Sequence, residues 1–241
     1  IKKPSDYFNT KLYTGNGSTN AITGVGFQPD FTWIKSRTEG YGHSLFDAVR
    51  GVTKAIASEG TGAEYTFSTG LTAFGSDGFT LGSGTVVNNN SQNHASWNWK
   101  ANGAGSANTD GSISSTVSAS ATSGFSVVTY TGNNTNGATV GHGLGVIPSM
   151  VIVKKLSATR DWMVKHKDLT SNHNISLNTT AAQFNSPVNG WISNLTSNQT
   201  ISFSIGSSDI DNVNQGAQQY VAYCFADVQG YSKFGSYTGN G

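Results

Sequence analysis

One four-residue phrase occurs three times in this chain, as Tyr13-Thr14-Gly15-Asn16, Tyr130-Thr131-Gly132-Asn133 and Tyr237-Thr238-Gly239-Asn240. It constrains the fold more than any other feature, because an internal repeat means that one structural unit is used more than once. The phrase heads a longer match. Gly26-Phe27-Gln28-Pro29-Asp30-Phe31-Thr32-Trp33-Ile34-Lys35 is answered by Gly145-Val146-Ile147-Pro148-Ser149-Met150-Val151-Ile152-Val153-Lys154. Gly78-Phe79-Thr80-Leu81-Gly82 is answered by Ile201-Ser202-Phe203-Ser204-Ile205-Gly206, and the aromatic block His94–Trp99 by Tyr220–Phe225. The offset is 117 residues at the phrase, 119 at the proline, 124 at the Phe-Leu-Gly block and 126 at the aromatic block. It only grows along the chain, as small loop insertions into one ancestral order would make it. Two copies of one module are therefore predicted, with the third phrase as the opening of a further copy.

A chain of 241 residues accommodates two such modules, each large enough to bury a core. Helix signals are nearly absent. Short runs rich in Val, Ile, Thr, Tyr, Phe and Trp recur between Gly, Asn, Asp and Ser, which is the strand pattern of a sandwich or barrel. The expected fold is all-β: two tandem antiparallel β-sandwich modules, jelly-roll-like. The first spans 1–103 and the second 125–229. The stretch 104–124, made of small and polar residues, reads as a connection in which Ile113 and Val117 seed a strand. Residues 230–241 read as a linker or the start of a further repeat. Within 47–56 a central glycine and β-branched residues favour strand and loop over helix. Alternation sends Phe31, Trp33, Met150 and Ile152 to one face of their strands and Thr32, Ile34, Val151 and Val153 to the other; both faces are apolar in the second copy, as in a central strand covered on both sides. The shared aromatics Trp97, Trp99, Tyr223 and Phe225 are expected at equivalent places in two cores.

Charge excludes several partners. Charged residues make up 11% of the chain and the net charge is +1, against a usual charged share of about 25%. Nucleic-acid binding needs clustered Lys and Arg, which are not here. No apolar run is long enough for a transmembrane helix. A lone cysteine, Cys224, cannot form an internal disulfide and reads as a small buried hydrophobe.

Catalytic and metal patterns are missing. There is no Gly-x-Ser-x-Gly element, and none of the five histidines pairs with a serine and an acid in a recognisable order. Paired carboxylates would mark a glycan-degrading enzyme, but Glu39, Glu59 and Glu64 all lie in the first half and the second has no Glu. His166, Asp168 and His173, like Asp209 and Asp211, match neither a zinc nor a calcium spacing. No catalytic residue, metal or cofactor is assigned. His142, flanked by glycines, reads as a turn residue that bonds to backbone.

The runs Phe27–Lys35, Ser44–Gly51 and Phe74–Gly82, with Thr139–Pro148, Tyr220–Ala226 and Gly230–Gly241, resemble a repetitive domain of marine bacteriophage tail-fibre and related virion proteins. The resemblance covers nearly the whole chain apart from 101–124. It implies a virion, extracellular location, an all-β fold and a role in host recognition or fibre structure, without catalytic residues. It also implies assembly with other copies or other virion proteins, trimers being common among fibres. The expected function is a non-catalytic fibre or adhesin segment that contributes to binding a host-surface polysaccharide. A purely structural spacer or decoration module, and a glycan-degrading fibre enzyme, are the alternatives. Sugar C–H faces pack on exposed rings while hydroxyls need polar neighbours. Rings that are unmatched between the copies and lie in polar loops are the expected carbohydrate contacts: Trp162, Trp191, Tyr41 and Tyr65.

Overall fold

Short β-branched and aromatic runs pair into antiparallel ladders along almost the whole chain, and the fold is all-β with several antiparallel sheets. A computed structural model describes residues 1–185, 190–205 and 212–240. Its first half carries β1 (Phe8–Thr14), β2 (Asn20–Ile22), β3 (Phe31–Ser36), β4 (Ser44–Asp47), β5 (Lys54–Ala55), β6 (Tyr65–Thr66), β7 (Leu71–Gly75), β8 (Gly78–Leu81) and β9 (Asn93–Trp99). β10 (Ser106–Asn108) and β11 (Ser115–Ser120) follow. The second half carries β12 (Phe125–Thr131), β13 (Thr139–Gly141), β14 (Met150–Lys155), β15 (Met163–His166), β16 (Ile175–Ser176), β17 (Trp191–Ile192), β18 (Thr200–Ser204) and β19 (Gln219–Phe225).

The repeat in the sequence reappears as topology. One large sheet has the order β1-β9-β3-β4, and the other contains β12-β19-β14-β15 in the same order. Two three-stranded sheets, β2-β8-β7 and β13-β18-β17, also correspond. Register agrees as well. Trp99 stands between Phe8 and Phe31, and Phe225 stands between Phe125 and Met150.

Three cores lie between four layers. Ile34, Phe46, Phe79, Leu81 and Val87 fill the space between the first large sheet and β2-β8-β7. Val128, Val151, Val153, Ile201, Phe203 and Cys224 fill the space between the second large sheet and β13-β18-β17. The third core lies between the two large sheets, where Phe31, Leu45 and Ile56 meet Phe125, Val127, Ile152, Trp162 and Tyr223. This explains why β3 and β14 are apolar on both faces: each is covered on both sides. It also corrects the expectation of two separate aromatic cores. Trp99, Tyr223 and Phe225 share one core, while Trp97 is half-buried outside it.

The stretch 104–124 does more than connect. β11 pairs with β12 along its length, with Val117 opposite Val128, and β10 pairs with β11. Small side chains suit this edge, because Gly105 lies against the β11 backbone, where a Cβ would come 2.7 Å from the Val117 carbonyl. Around 47–56 the chain turns through Gly51, whose φ is +91°, and enters β5, as the glycine predicts. Cys224 is fully buried. His142 is buried too, its Nδ1 accepting the Leu144 N–H at 3.2 Å and its Nε2 lying 3.4 Å from the Ser197 carbonyl. That is the turn role read from its flanking glycines.

The repeated phrase is a latch. The Tyr13 hydroxyl donates to the Val87 carbonyl at 2.6 Å, and Tyr130 does the same to Val213 at 2.6 Å. Asn16 N–H donates to Asn88 Oδ1, and Asn88 Nδ2 returns a bond to Asn16 Oδ1. Asn133 and Asn214 repeat both bonds. Glycine stands between because the strand end touches a loop backbone: a Cβ on Gly15 would lie 2.1 Å from the Asn89 carbonyl, and one on Gly132 2.2 Å from that of Gln215. The third tyrosine, Tyr237, is 94% exposed. Asn88→Ala should cost about 2–4 kcal/mol, since several buried bonds go at once, and Gly15→Ala about 1–3 kcal/mol through overpacking. Urea denaturation measures both; losses below about 0.5 kcal/mol would mean that the phrase does not hold the loops.

Candidate functional site

The ground between the two large sheets opens at two places, and they differ in chemistry. The first is a polar cleft of about 440 Å³. Its first-half wall is Val49, Arg50 and Glu64, and its second-half wall comes from β11, β12 and β19, with Thr116, Thr129, Thr131 and Gln219. Alternation along β12 produces this wall, because Val128 and Tyr130 turn into the outer core and leave Thr129 and Thr131 for the cleft.

Arg50 forms the floor. The turn after β4 places it three residues beyond Asp47, whose carboxylate accepts the Arg50 backbone N–H at 2.8 Å and Nε at 2.5 Å. One terminal nitrogen donates to Glu64 at 3.1 Å and to the Lys54 carbonyl at 3.2 Å, and the other to the Leu45 carbonyl at 3.1 Å. Tyr223, from the second half, donates its hydroxyl to Asp47 at 2.8 Å. Burial opposes the Arg50 charge, but Asp47, Tyr223 and Glu64 outweigh it and hold the guanidinium above its ordinary pKa. Burial also drives the Tyr223 hydroxyl well above its ordinary value, so it stays protonated. The network is a fixed donor–acceptor frame with its charges compensated.

Backbone bonds tie the 57–64 loop of the first half to the second half. Glu64 N–H donates to the Leu156 carbonyl at 2.9 Å, and Arg160 N–H to the Thr61 carbonyl at 2.9 Å. Lys154 is buried and gives its ammonium to the carbonyls of Thr61, Lys155 and Arg160 at 3.2, 3.0 and 2.9 Å. Burial lowers its pKa to about 8, with Asp161 opposing. Its counterpart Lys35 cradles the carbonyls of Ser36, Glu39 and Tyr41 in the same way.

The second opening is apolar, about 230 Å³, at another part of the same inter-sheet core. Phe31, Trp33, Trp99, Trp162 and Tyr223 line it, with Leu177 and Phe234 also on its wall.

The four rings singled out in the sequence do not converge. Trp162 is fully buried, with its indole N–H donating to the Ala57 carbonyl at 3.0 Å. It occupies the place of His43 in the first half and faces the core. The expectation of a surface ring is overturned by this burial, and Trp162 lines only the apolar opening. Tyr65 is 43% exposed and tilts against Phe67. Tyr41 and Trp191 are half-buried. None of the four lines the polar cleft. Arg50 was not singled out in the sequence; the available signal was an acid three residues before an arginine beside a glycine turn. Among the described residues no group of three or more His, Cys, Asp or Glu is arranged to hold a metal ion.

No curated protein and no solved structure matches the chain. A family model does, over residues 3–241, and it is described as a domain of unknown function (DUF7483).

Removing the carboxylate of Asp47 as Asp47→Ala leaves a buried guanidinium short of a partner and should cost about 3–5 kcal/mol. Chemical denaturation reads the loss, and a value below about 1 kcal/mol would mean that the network does not tie the halves. Burial lowers the pKa of His142, His94 and His43. The unfolded chain then binds more protons than the folded one below the ordinary value of 6.5, so stability should fall as pH drops through that point. On the alkaline side burial raises Cys224 from 9.0 to about 12, so its contribution is present below pH 9 and is lost above it. Melting curves across pH should fall on the acid side less steeply in His142→Gln, and on the alkaline side less steeply in Cys224→Ala.

Proposed function

The chain belongs to this family of domains of unknown function, and we propose that it is a non-catalytic segment of a phage-type virion fibre or adhesin. On this reading it consists of two tandem, jelly-roll-like β-sandwich modules and binds a host-surface polysaccharide in the polar cleft between them. The observation that carries the proposal is the cleft itself. A sugar presents hydroxyls that both donate and accept, and the wall offers the hydroxyls of Thr116, Thr129 and Thr131, the amide of Gln219 and the partly exposed carboxylate of Glu64. The Arg50 donors are already committed to protein acceptors, so they hold the floor rigid. With the local charges compensated and a net charge of +1, a neutral polysaccharide suits the cleft best. Such a site is shallow and weak, and copies assembled in a virion would multiply its affinity.

A structural spacer is the second reading. It is favoured by the duplicated latch and by the exposed third copy at Tyr237, which suit a protein built by repetition.

A glycan array with the isolated chain, and with Glu64→Gln and Thr129→Trp, tests the proposal. Binding that falls at least about tenfold in both variants, and persists in Trp191→Ala, is the expected result. A well-folded chain with a blank array would favour the spacer. Release of oligosaccharides during incubation would instead indicate a glycan-degrading enzyme.

A further inference from the structure

The apolar opening between the large sheets is a second binding site, separate from the polar cleft, and we infer that it takes an uncharged apolar molecule of single-ring size. Three of the rings on its wall have their polar tips tied to partners outside it. The Trp33 indole N–H donates to His43 Nδ1 at 2.7 Å, away from the opening. The Trp162 N–H is bound to the Ala57 carbonyl at 3.0 Å, and the Tyr223 hydroxyl to Asp47 at 2.8 Å. Each tip is held by a partner outside the space, so these residues turn only ring faces and edges inward. The rest of the wall is hydrocarbon or thioether, with Leu45, Met150 and Ile152 among it. A sugar or an ion placed there would lose its hydration against a wall that is almost wholly apolar.

The size and shape narrow the ligand further. The volume is about 230 Å³, and an apolar cavity of roughly 150 Å³ stays dry and admits benzene. Phe31 lies 4.4 Å from Tyr223 in a stack and 6.4 Å from Trp33 edge-on. The wall thus offers a flat ring both stacked and edge contacts, the geometries that aromatic pairs prefer. Leu177 is 38% exposed and sits at the rim. Phe234 also lies on the wall, with its ring 6.0 Å from Phe225. Its backbone N–H is fixed to Asp227 at 2.6 Å, and Asp227 is paired with Lys167 at 2.7 Å. Phe234 also lines a neighbouring apolar space of about 170 Å³, together with Trp99 and Phe225. The two spaces therefore share three rings, Trp99, Phe225 and Phe234, on their walls.

Toluene is the probe. Titrated into the full chain, it should change tryptophan fluorescence saturably, because Trp33, Trp99 and Trp162 line the space. It should also raise Tm by about 2–5 °C near saturation. Leu177→Trp fills the rim from an exposed position and should abolish both effects while the chain stays folded. Xenon-pressurised crystals give an independent readout, with density expected among Phe31, Trp99 and Tyr223. No saturable response to toluene, or a response unchanged in Leu177→Trp, would overturn the inference, as would xenon density only at other places.

Discussion

The rings of Phe31 and Tyr223 stack 4.4 Å apart across the space between the two large sheets, and the rest of the structure depends on that contact. Phe31 belongs to the first copy of the repeat and Tyr223 to the second. Phe125, Trp99 and Trp162 surround them. Burial of apolar area is non-directional and by itself fixes the register of the sheets only loosely. The Tyr223 hydroxyl removes that freedom, because it must reach Asp47, and Asp47 must also hold Arg50. A buried ion pair adds little net stability against a hydrophobic replacement, but its geometry selects one arrangement over others. The openings follow from this: the sheets meet closely at the Phe31–Tyr223 contact and part on either side, with polar walls in one opening and ring faces in the other.

Duplication and divergence divide the structure's features between them. What both copies keep is mechanical. The Tyr-Thr-Gly-Asn latch holds each loop, and Lys35 and Lys154 each gather main-chain carbonyls. Tyr13 stacks on His94 with centroids 5.1 Å apart, as Tyr130 stacks on Tyr220 at 5.1 Å. What differs lies where the copies face each other. His43 corresponds to Trp162, and Asp47 to His166, so each half presents a different inner surface. The acid comes from one half and the hydroxyl that meets it from the other. The cleft and the apolar opening each draw their walls from both halves, and a single module would have neither.

Much of the fold was legible because its signals are local. Strand runs, glycine turns and the repeat offsets were enough for β1, β3, β4, β7, β8, β9, β12, β14, β15, β16, β18 and β19, and the two-faced apolar pattern of β14 announced a central strand. The face-to-face packing was not legible. Alternation says that Phe31 and Met150 face a core, but not that the two cores are one. β11 was only half visible, since Val117 is its sole large side chain, with Ile113 just before it, and its pairing with β12 is a tertiary fact. The site was the least legible part. Trp162 looked like a loop ring because Arg160 and Asp161 precede it, yet its indole is drawn inward by the Ala57 carbonyl of the other copy. Arg50 drew no notice because its partners Asp47, Glu64 and Tyr223 are spread over more than 170 residues.

Fusion of the two copies through one shared core is the central claim, and differential scanning calorimetry of the whole chain tests it most directly. The account predicts one cooperative transition whose calorimetric and van't Hoff enthalpies agree, since neither half can open without exposing the rings of the other. Two separate transitions, each with the enthalpy of about half the chain, would contradict it and would reduce the inter-sheet contact to a loose docking of independent modules.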